Sequence, residues 1–367
     1  MLPGASLRLV VLPGLAFQGV VMGGGYATGR ELVEFFMRNG PVGGLLGMAV
    51  TAAVWSLVAA MAFELCRRHG AYDYRAFFKI LLGRFWILYE VLNILLMFLV
   101  LAVVSAAAGE IMAARTGAPA ALGALLLFLL VAGLCCIGNR MLGAVMMGLA
   151  GVVYLFYIAV FLLCATVFHE RIMEALAHGP ARGTWAYDGL RYAGYNVACL
   201  PLIFFSLRDL ATRRQAWIAG GLAGVIGMLP AACLFLALLS LYPEVTGAPV
   251  PMALLLAGLD VPGLALAFDL LLFATLAQTG AGLIHAYNER LAGALRERHR
   301  ALPRTARVAV VALAALLAAA VGTRFGLPAL VAQGYGLITF GFLATFVAPL
   351  LLSPLRSRLR TTKKDPA

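Results

Sequence analysis

Three consecutive glycines, Gly23, Gly24 and Gly25, stand fifteen residues past Arg8, inside the first long apolar stretch, and lead into Tyr26, Ala27, Thr28, Gly29, Arg30 and Glu31. Each glycine weakens a helix by up to about 1 kcal/mol relative to alanine, so the run favours opening the helix here. In hydrocarbon an exposed N–H or C=O costs several kcal/mol, and an opened segment persists only where protein, water or a bound solute satisfies it. The chemistry on offer is recognition. A helix restarting near Tyr26 presents free N–H groups and the positive end of its dipole to an anionic group such as a carboxylate, while the carbonyls that end the first half can hold a cation. Close helix approach is the other use of such glycines, and it accounts better for Gly43, Gly47, Gly220 and Gly224. A nucleotide loop is excluded, because Thr28 stands where the dinucleotide fingerprint needs glycine, and Arg30 and Glu31 stand where a phosphate loop needs Lys-Ser/Thr.

A second interruption follows the same plan. Tyr192, Gly194, Tyr195, Asn196 and Pro201 break a stretch that ends in Ile203, Phe204 and Phe205. Pro201 removes a backbone donor and frees a carbonyl one turn earlier, and Asn196 bonds both donors and acceptors.

Five carboxylates, Glu31, Glu34, Glu90, Glu110 and Asp269, fall within apolar stretches. An ionised side chain at the bilayer centre costs at least about 2.5 kcal/mol unless it is paired or hydrated, so each needs a reason. Glu110 is expected to be the buried one, with Arg30 as its neutralising partner or with a proton that it carries as a coupling group. Glu31 and Glu34 are expected at an outward helix end as gate or surface groups, and Glu90 near the inner boundary. Asp269 faces an outer vestibule or caps helix packing. His285 sits toward an inner end, and Gln333, Tyr335 and Thr339 line a path or bond across helices.

These residues need apolar elements to hold them, and the composition supplies those. Of 367 residues 63% are hydrophobic and 12% charged, with mean hydropathy +0.96, whereas soluble domains run at roughly half apolar and a quarter charged. The expected fold is an all-α polytopic membrane protein of ten transmembrane helices. The spans lie near 8 to 37, 41 to 65, 85 to 114, 119 to 138, 141 to 168, 187 to 207, 216 to 242, 262 to 292, 305 to 322 and 327 to 352. Residues 1–168 and 187–352 form two five-helix halves of one intertwined domain, and 353–367 is a tail. The net charge of +12 comes from loop arginines and lysines rather than from a soluble basic face, so no nucleic-acid partner is expected. With an inward N-terminus 21 of the 28 basic residues fall inside and 7 outside, which favours two cytoplasmic termini and an even number of spans in a bacterial-type inner membrane. The stretch from Arg8 has no small-x-small cleavage site and is expected to be retained. Between 243 and 261 no Lys or Arg occurs, and Met252 to Leu256 is too short to span, so a helical lid or a surface loop is expected there. The six cysteines lack CxxC spacing and point to neither disulfides nor zinc.

The segment Gly23 to Phe36 resembles the opening motif of the YkvI-like membrane proteins, which look like distant members of the amino acid–polyamine–organocation superfamily. That resemblance implies the LeuT-like 5+5 inverted repeat with discontinuous helices 1 and 6. By position it implies substrate contacts at Gly23, Gly24, Gly25, Tyr26, Thr28, Ser105, Tyr195 and Asn196. It also implies a sodium site near Thr275 and Thr279; the residues themselves suggest further coupling or gating roles for Arg30, Glu31, Glu110 and Gln333. Those two threonines are four residues apart, where sodium-coupled relatives carry a neighbouring pair. The functional expectation is secondary transport of a small polar solute, amino-acid-like or amine-containing, coupled to protons or sodium, with no other cofactor. A transporter-shaped sensor is the alternative. An intramembrane enzyme fits worse, because the five histidines lie mostly in loops or at interfaces and no HExxH occurs.

Overall fold

The computed structural model describes residues 3–22, 24–136, 139–181, 183–296 and 303–353. Gly23 and the expected tail beyond Ser353 lie outside them. Among the described residues every regular element is helical. In chain order the α-helices are α1 (Pro3–Val21), α2 (Gly24–Ala27), α3 (Arg30–Phe35), α4 (Pro41–His69), α5 (Tyr74–Leu82), α6 (Trp86–Thr116), α7 (Ala120–Cys136) and α8 (Asn139–Val167). There follow α9 (His169–His178), α10 (Trp185–Asn196), α11 (Arg213–Leu238), α12 (Pro251–Gly258), α13 (Leu264–Arg296), α14 (Arg304–Ala329) and α15 (Gly336–Phe342).

Among the described residues six stretches are long and apolar enough to cross a bilayer: Pro41–His69, Tyr74–Thr116, Trp185–Leu207, Arg213–Leu241, Leu264–Ala292 and Ala312–Ser353. Gly326, at φ 73° and ψ 164°, splits the last of these into two legs. Leu7–Val21 and Ala120–Leu134 are shorter apolar helices, and Gly151–Val167 meets His169–His178 at 80°. The chain is thus a multi-pass membrane protein, and each apolar stretch expected from the sequence is helical. Sequence periodicity left α5 and α9 unread, because both are short, polar on one face and outside the apolar runs. Asp73 starts α5 by accepting the Ala76 N–H at 2.9 Å.

The most intimate contacts sort the helices into two groups. One contains α1, α4, α10 and α11, and the other α6, α7, α13 and α14. In terms of the expected spans, the first group takes the first two of each half and the second group takes the third and fourth. Polar contacts between elements also sort to two ends. Arg67 with Ala211 O and Arg290 with Glu90 lie at one end. Arg115 with Asp269, and Asn39 with Thr184 and Asp188, lie at the other. This is the alternation that antiparallel neighbours require.

Small residues set the spacing inside the first group. A Cβ on Gly220 would sit 2.2 Å from Ala60 Cα, and one on Gly224 would sit 2.4 Å from Ala52 O. The backbones of α4 and α11 therefore touch, which gives dispersion contact that lipid does not replace. We expect Gly220→Val to lower stability by about 1–3 kcal/mol through overpacking. Gly221→Val on the same helix meets nothing within 4 Å and should leave the melting temperature nearly unchanged; thermal unfolding in detergent compares the pair.

Candidate functional site

The first span opens twice, after Val21 and again at Thr28–Gly29, where Gly29 takes φ 78°. Gly23 lies outside the described residues, and of Gly24 and Gly25 only their place in α2 is described. The backbone groups freed at the second opening have protein partners. The Tyr157 hydroxyl donates to Ala27 O at 2.6 Å, the Met252 N–H donates to Thr28 O at 3.1 Å, and the Arg30 N–H donates to Thr28 Oγ1 at 3.2 Å. The helix is open, but these groups are bonded within the protein, as hydrocarbon demands.

The second interruption takes another form. Instead of unwinding, α10 tightens into a 3₁₀ helix from Val197 to Leu207 with Pro201 inside it. Eleven residues is long for this geometry, which rarely runs beyond three or four and marks hinges when it does. The Trp55 indole donates to Ala193 O at 3.2 Å, and the Tyr89 hydroxyl donates to Ala198 O at 3.4 Å.

The two interruptions meet through one carboxylate. Glu31, only 5% exposed, accepts a hydrogen bond at 2.7 Å from the Tyr195 hydroxyl. Among the described residues it has no basic partner. Tyr195 stacks on Tyr335 with ring centroids 4.4 Å apart, Phe35 lies 5.8 Å from Tyr195, and Tyr192 lies 5.5 Å from both Tyr195 and Phe35. Tyr26, Tyr192 and Tyr335 all lie close enough to feel the Glu31 charge. Among the described residues three buried hydroxyls, Tyr26 Oη, Ser105 Oγ and Tyr192 Oη, have no hydrogen-bond partner. Such orphans ask for a ligand or water.

Several expectations shift. Glu31 is an enclosed carboxylate, not an outward surface group. Arg30 does not reach Glu110: its guanidinium donates to Glu34 Oε2 at 3.0 Å, to Ala248 O at 3.1 Å and to Thr246 O at 3.4 Å, and Arg38 also pairs with Glu34. Adjacent helix positions face different ways, which is why Glu31 and Arg30 diverge. Glu110 is half-buried near the end of α6, and Gln333 is exposed. Asn196 is buried but bonds back to Tyr192 O at 3.0 Å. The Thr275 and Thr279 hydroxyls donate along α13, to Leu271 O at 2.8 Å and Thr275 O at 3.0 Å, with lone pairs to spare. Thr339 bonds across helices, to Arg191 O at 2.8 Å.

Between 243 and 261 the chain forms a helical lid rather than a plain loop. Pro251, Met252, Leu255 and Leu256 of α12 are buried, and a Cβ on Gly29 would sit 3.2 Å from Pro251 Cβ. At the other end Arg290 pairs with Glu90 Oε1 at 2.7 Å, donates to Asn93 Oδ1 at 2.8 Å and lies over the Tyr74 ring at 4.5 Å. Asn93 in turn donates to the Tyr89 hydroxyl at 3.3 Å. That network and the lid contacts of Arg30 went unread in the sequence, because partners more than a hundred residues apart carry no local signal. Among the described residues no group of three or more His, Cys, Asp or Glu could hold a metal ion.

No protein-family model matches the chain. Over 241 residues, 65% of this chain and 68% of the relative, it is 25% identical to the uncharacterized membrane protein YkvI of Bacillus subtilis (strain 168). Among solved structures it is similar to the manganese transporter of Eremococcus coleocola in complex with an aromatic bis-isothiourea substituted compound. The TM-score is 0.58 at 16% identity, covering 95% of this chain and 79% of that one. A mutant of the same transporter gives a TM-score of 0.55 at 15% identity, covering 94% and 79%. The likeness is one of fold: this architecture is shared with a membrane transporter.

Arg30 fastens the lid by hydrogen bonds from a charged donor, each worth about 1.5–3 kcal/mol. In Arg30→Gln protein, amide hydrogen exchange across Glu244–Gly258 should speed up by about 10- to 100-fold. Exchange at the wild-type rate would show that Met252 and Leu255 alone hold the lid.

Proposed function

We propose that this protein is a secondary active transporter that moves a small polar solute by alternating access, with the solute bound where the first and sixth spans are interrupted. The observation that carries this reading is the Glu31–Tyr195 hydrogen bond, which ties the two interrupted spans together near the orphaned hydroxyls of Tyr26 and Tyr192. Broken helices at corresponding positions of two halves are the usual mark of a midplane binding site. The two-group packing supports a LeuT-like 5+5 arrangement of ten spans, because each group draws the same spans from each half. The rigid groups then rock against one another around the site.

The solute class is amino-acid-like or amine-containing. One carboxylate among tyrosine faces suits a protonated amine, which gains from both charge and ring quadrupoles. The structural neighbour carries manganese, an ion that favours a shell of about six oxygen or mixed ligands; the aromatic lining here fits an organic cation better. Coupling is assigned to a proton or sodium, with Glu31 as the proton group and Thr275 and Thr279 as the sodium alternative. Both termini are placed in the cytoplasm on the 21-to-7 distribution of basic residues.

A sensor built on this fold binds without moving its ligand, so binding and flux are tested in turn. Purified protein is heated with amino acids, amines and manganese, with and without sodium. A true ligand at a hundred times its Kd adds about 2.7 kcal/mol, a shift of several degrees. We expect an amine to give that shift and Tyr195→Ala to abolish it. Saturable uptake of the same compound into proteoliposomes supports transport, whereas binding without uptake supports the sensor.

A further inference from the structure

Resting on that reading, the contents of the site narrow both the cargo and its coupling. Glu31 is enclosed, and the charged groups on the elements packed around it are engaged elsewhere. On its own helix Arg30 is bound to Glu34 and to the lid carbonyls. On α10 Arg191 is bound to Asp188 and Ala332 O, with its guanidinium 5.5 Å from the Phe35 centroid. Each arginine keeps an unpaired Nε–H; Asp188 matches Arg191, while Glu34 is shared between Arg30 and the half-exposed Arg38. The groups that face Glu31 are neutral: Tyr26 from α2, Tyr192 and Tyr195 from α10, Cys199 from the 3₁₀ segment and Tyr335 from the last span.

A lone carboxylate in such a place is neutralised in one of two ways, by a proton or by a cation. The stacked Tyr195 and Tyr335 rings, with the free Tyr26 and Tyr192 hydroxyl oxygens, suit an organic ammonium better than a bare alkali ion. A zwitterion fits less well, because its own carboxylate meets Glu31, while Arg30 is turned away to Glu34 and the carbonyls of Thr246 and Ala248.

We infer that Glu31 is shared in turn by a proton and a monovalent organic ammonium ion, so that the protein exchanges one for the other across the membrane. As the ammonium arrives, the carboxyl O–H bond breaks and its proton leaves to water on that side. On the opposite side the ammonium departs and a proton adds to the same oxygen. One positive charge moves each way, so the cycle is electroneutral. Tyr195 is a positioning residue that holds the carboxylate toward the rings.

The full chain is reconstituted in proteoliposomes containing a pH-sensitive dye and is offered choline, tetramethylammonium or guanidinium, with alanine and serine as zwitterionic comparisons. An inward gradient of at least one of the three cations should drive proton exit, with the same initial rate when the membrane potential is clamped to zero. Binding of that cation to detergent-solubilised protein should weaken by about tenfold per pH unit on the acidic side, since the proton competes for the oxygen. Glu31→Gln should lose both cation uptake and proton movement. Glu31→Asp, which keeps the charge, should retain exchange with a displaced pH profile, so a variant that fails to fold is told apart from one that lacks the carboxylate. Amino-acid uptake with protons moving inward, or cation uptake that is indifferent to pH and to Glu31→Gln, overturns the shared-carboxylate mechanism while leaving transport standing. Absence of saturable uptake for every compound offered overturns both.

Discussion

Hydrocarbon does not tolerate an unbonded peptide group, and that constraint organises this molecule. Where a helical ladder opens or tightens, a side chain or backbone group from another element takes up a carbonyl. Ala27 O is taken by Tyr157, Thr28 O by the Met252 N–H, Ala193 O by Trp55, and Ala198 O by Tyr89. Ala332 O, in the π-helical stretch Leu330–Tyr335, is taken by Arg191. Each such bond adds only about 1 kcal/mol net, yet leaving the carbonyl bare in lipid costs several times more. The interrupted spans thereby dictate which helices and loops lie beside them.

The rest of the packing is arranged around these openings. The glycine and alanine contact between α4 and α11 brings backbone against backbone, leaving little room for sliding. Gly14 of α1 joins the same group, since a Cβ there would lie 3.2 Å from Ala223 Cα. The short helices α2 and α3 are buried in the same core, with Leu32, Val33 and Phe35 fully enclosed, and add bonds to α8, α10 and α12.

Much of this was legible in the chain, for identifiable reasons. Long apolar runs report membrane helices because the bilayer fixes their length. The Gly23 to Gly25 run and Pro201 mark interruptions because both act on the backbone of their own helix. The same local logic separated the packing glycines Gly220 and Gly224 from the ones that open a helix. What stayed hidden was direction and partnership. Glu31 and Arg30 are neighbours in sequence, yet one turns into the aromatic core and the other to the lid, a difference decided by where the second opening falls. Pairing Arg30 with Glu110 was reasonable on charge alone, but Glu34 is one helical turn from Arg30 and wins by proximity. The 3₁₀ course of Val197–Leu207 was also unread, since proline says that a bond is lost without saying how the remaining ones reform.

Two closures bracket the Glu31 site. On the lid side, Arg30 and Thr28 hold the 246–252 segment. On the other, Arg290, Glu90, Asn93 and Tyr89 reach from α13 through α6 to the 3₁₀ carbonyl of Ala198. Each closure combines an ion pair with a bond to a carbonyl at an interruption, so opening either one exposes a charge and a backbone group together. Water entering from that side compensates both at once, whereas lipid compensates neither.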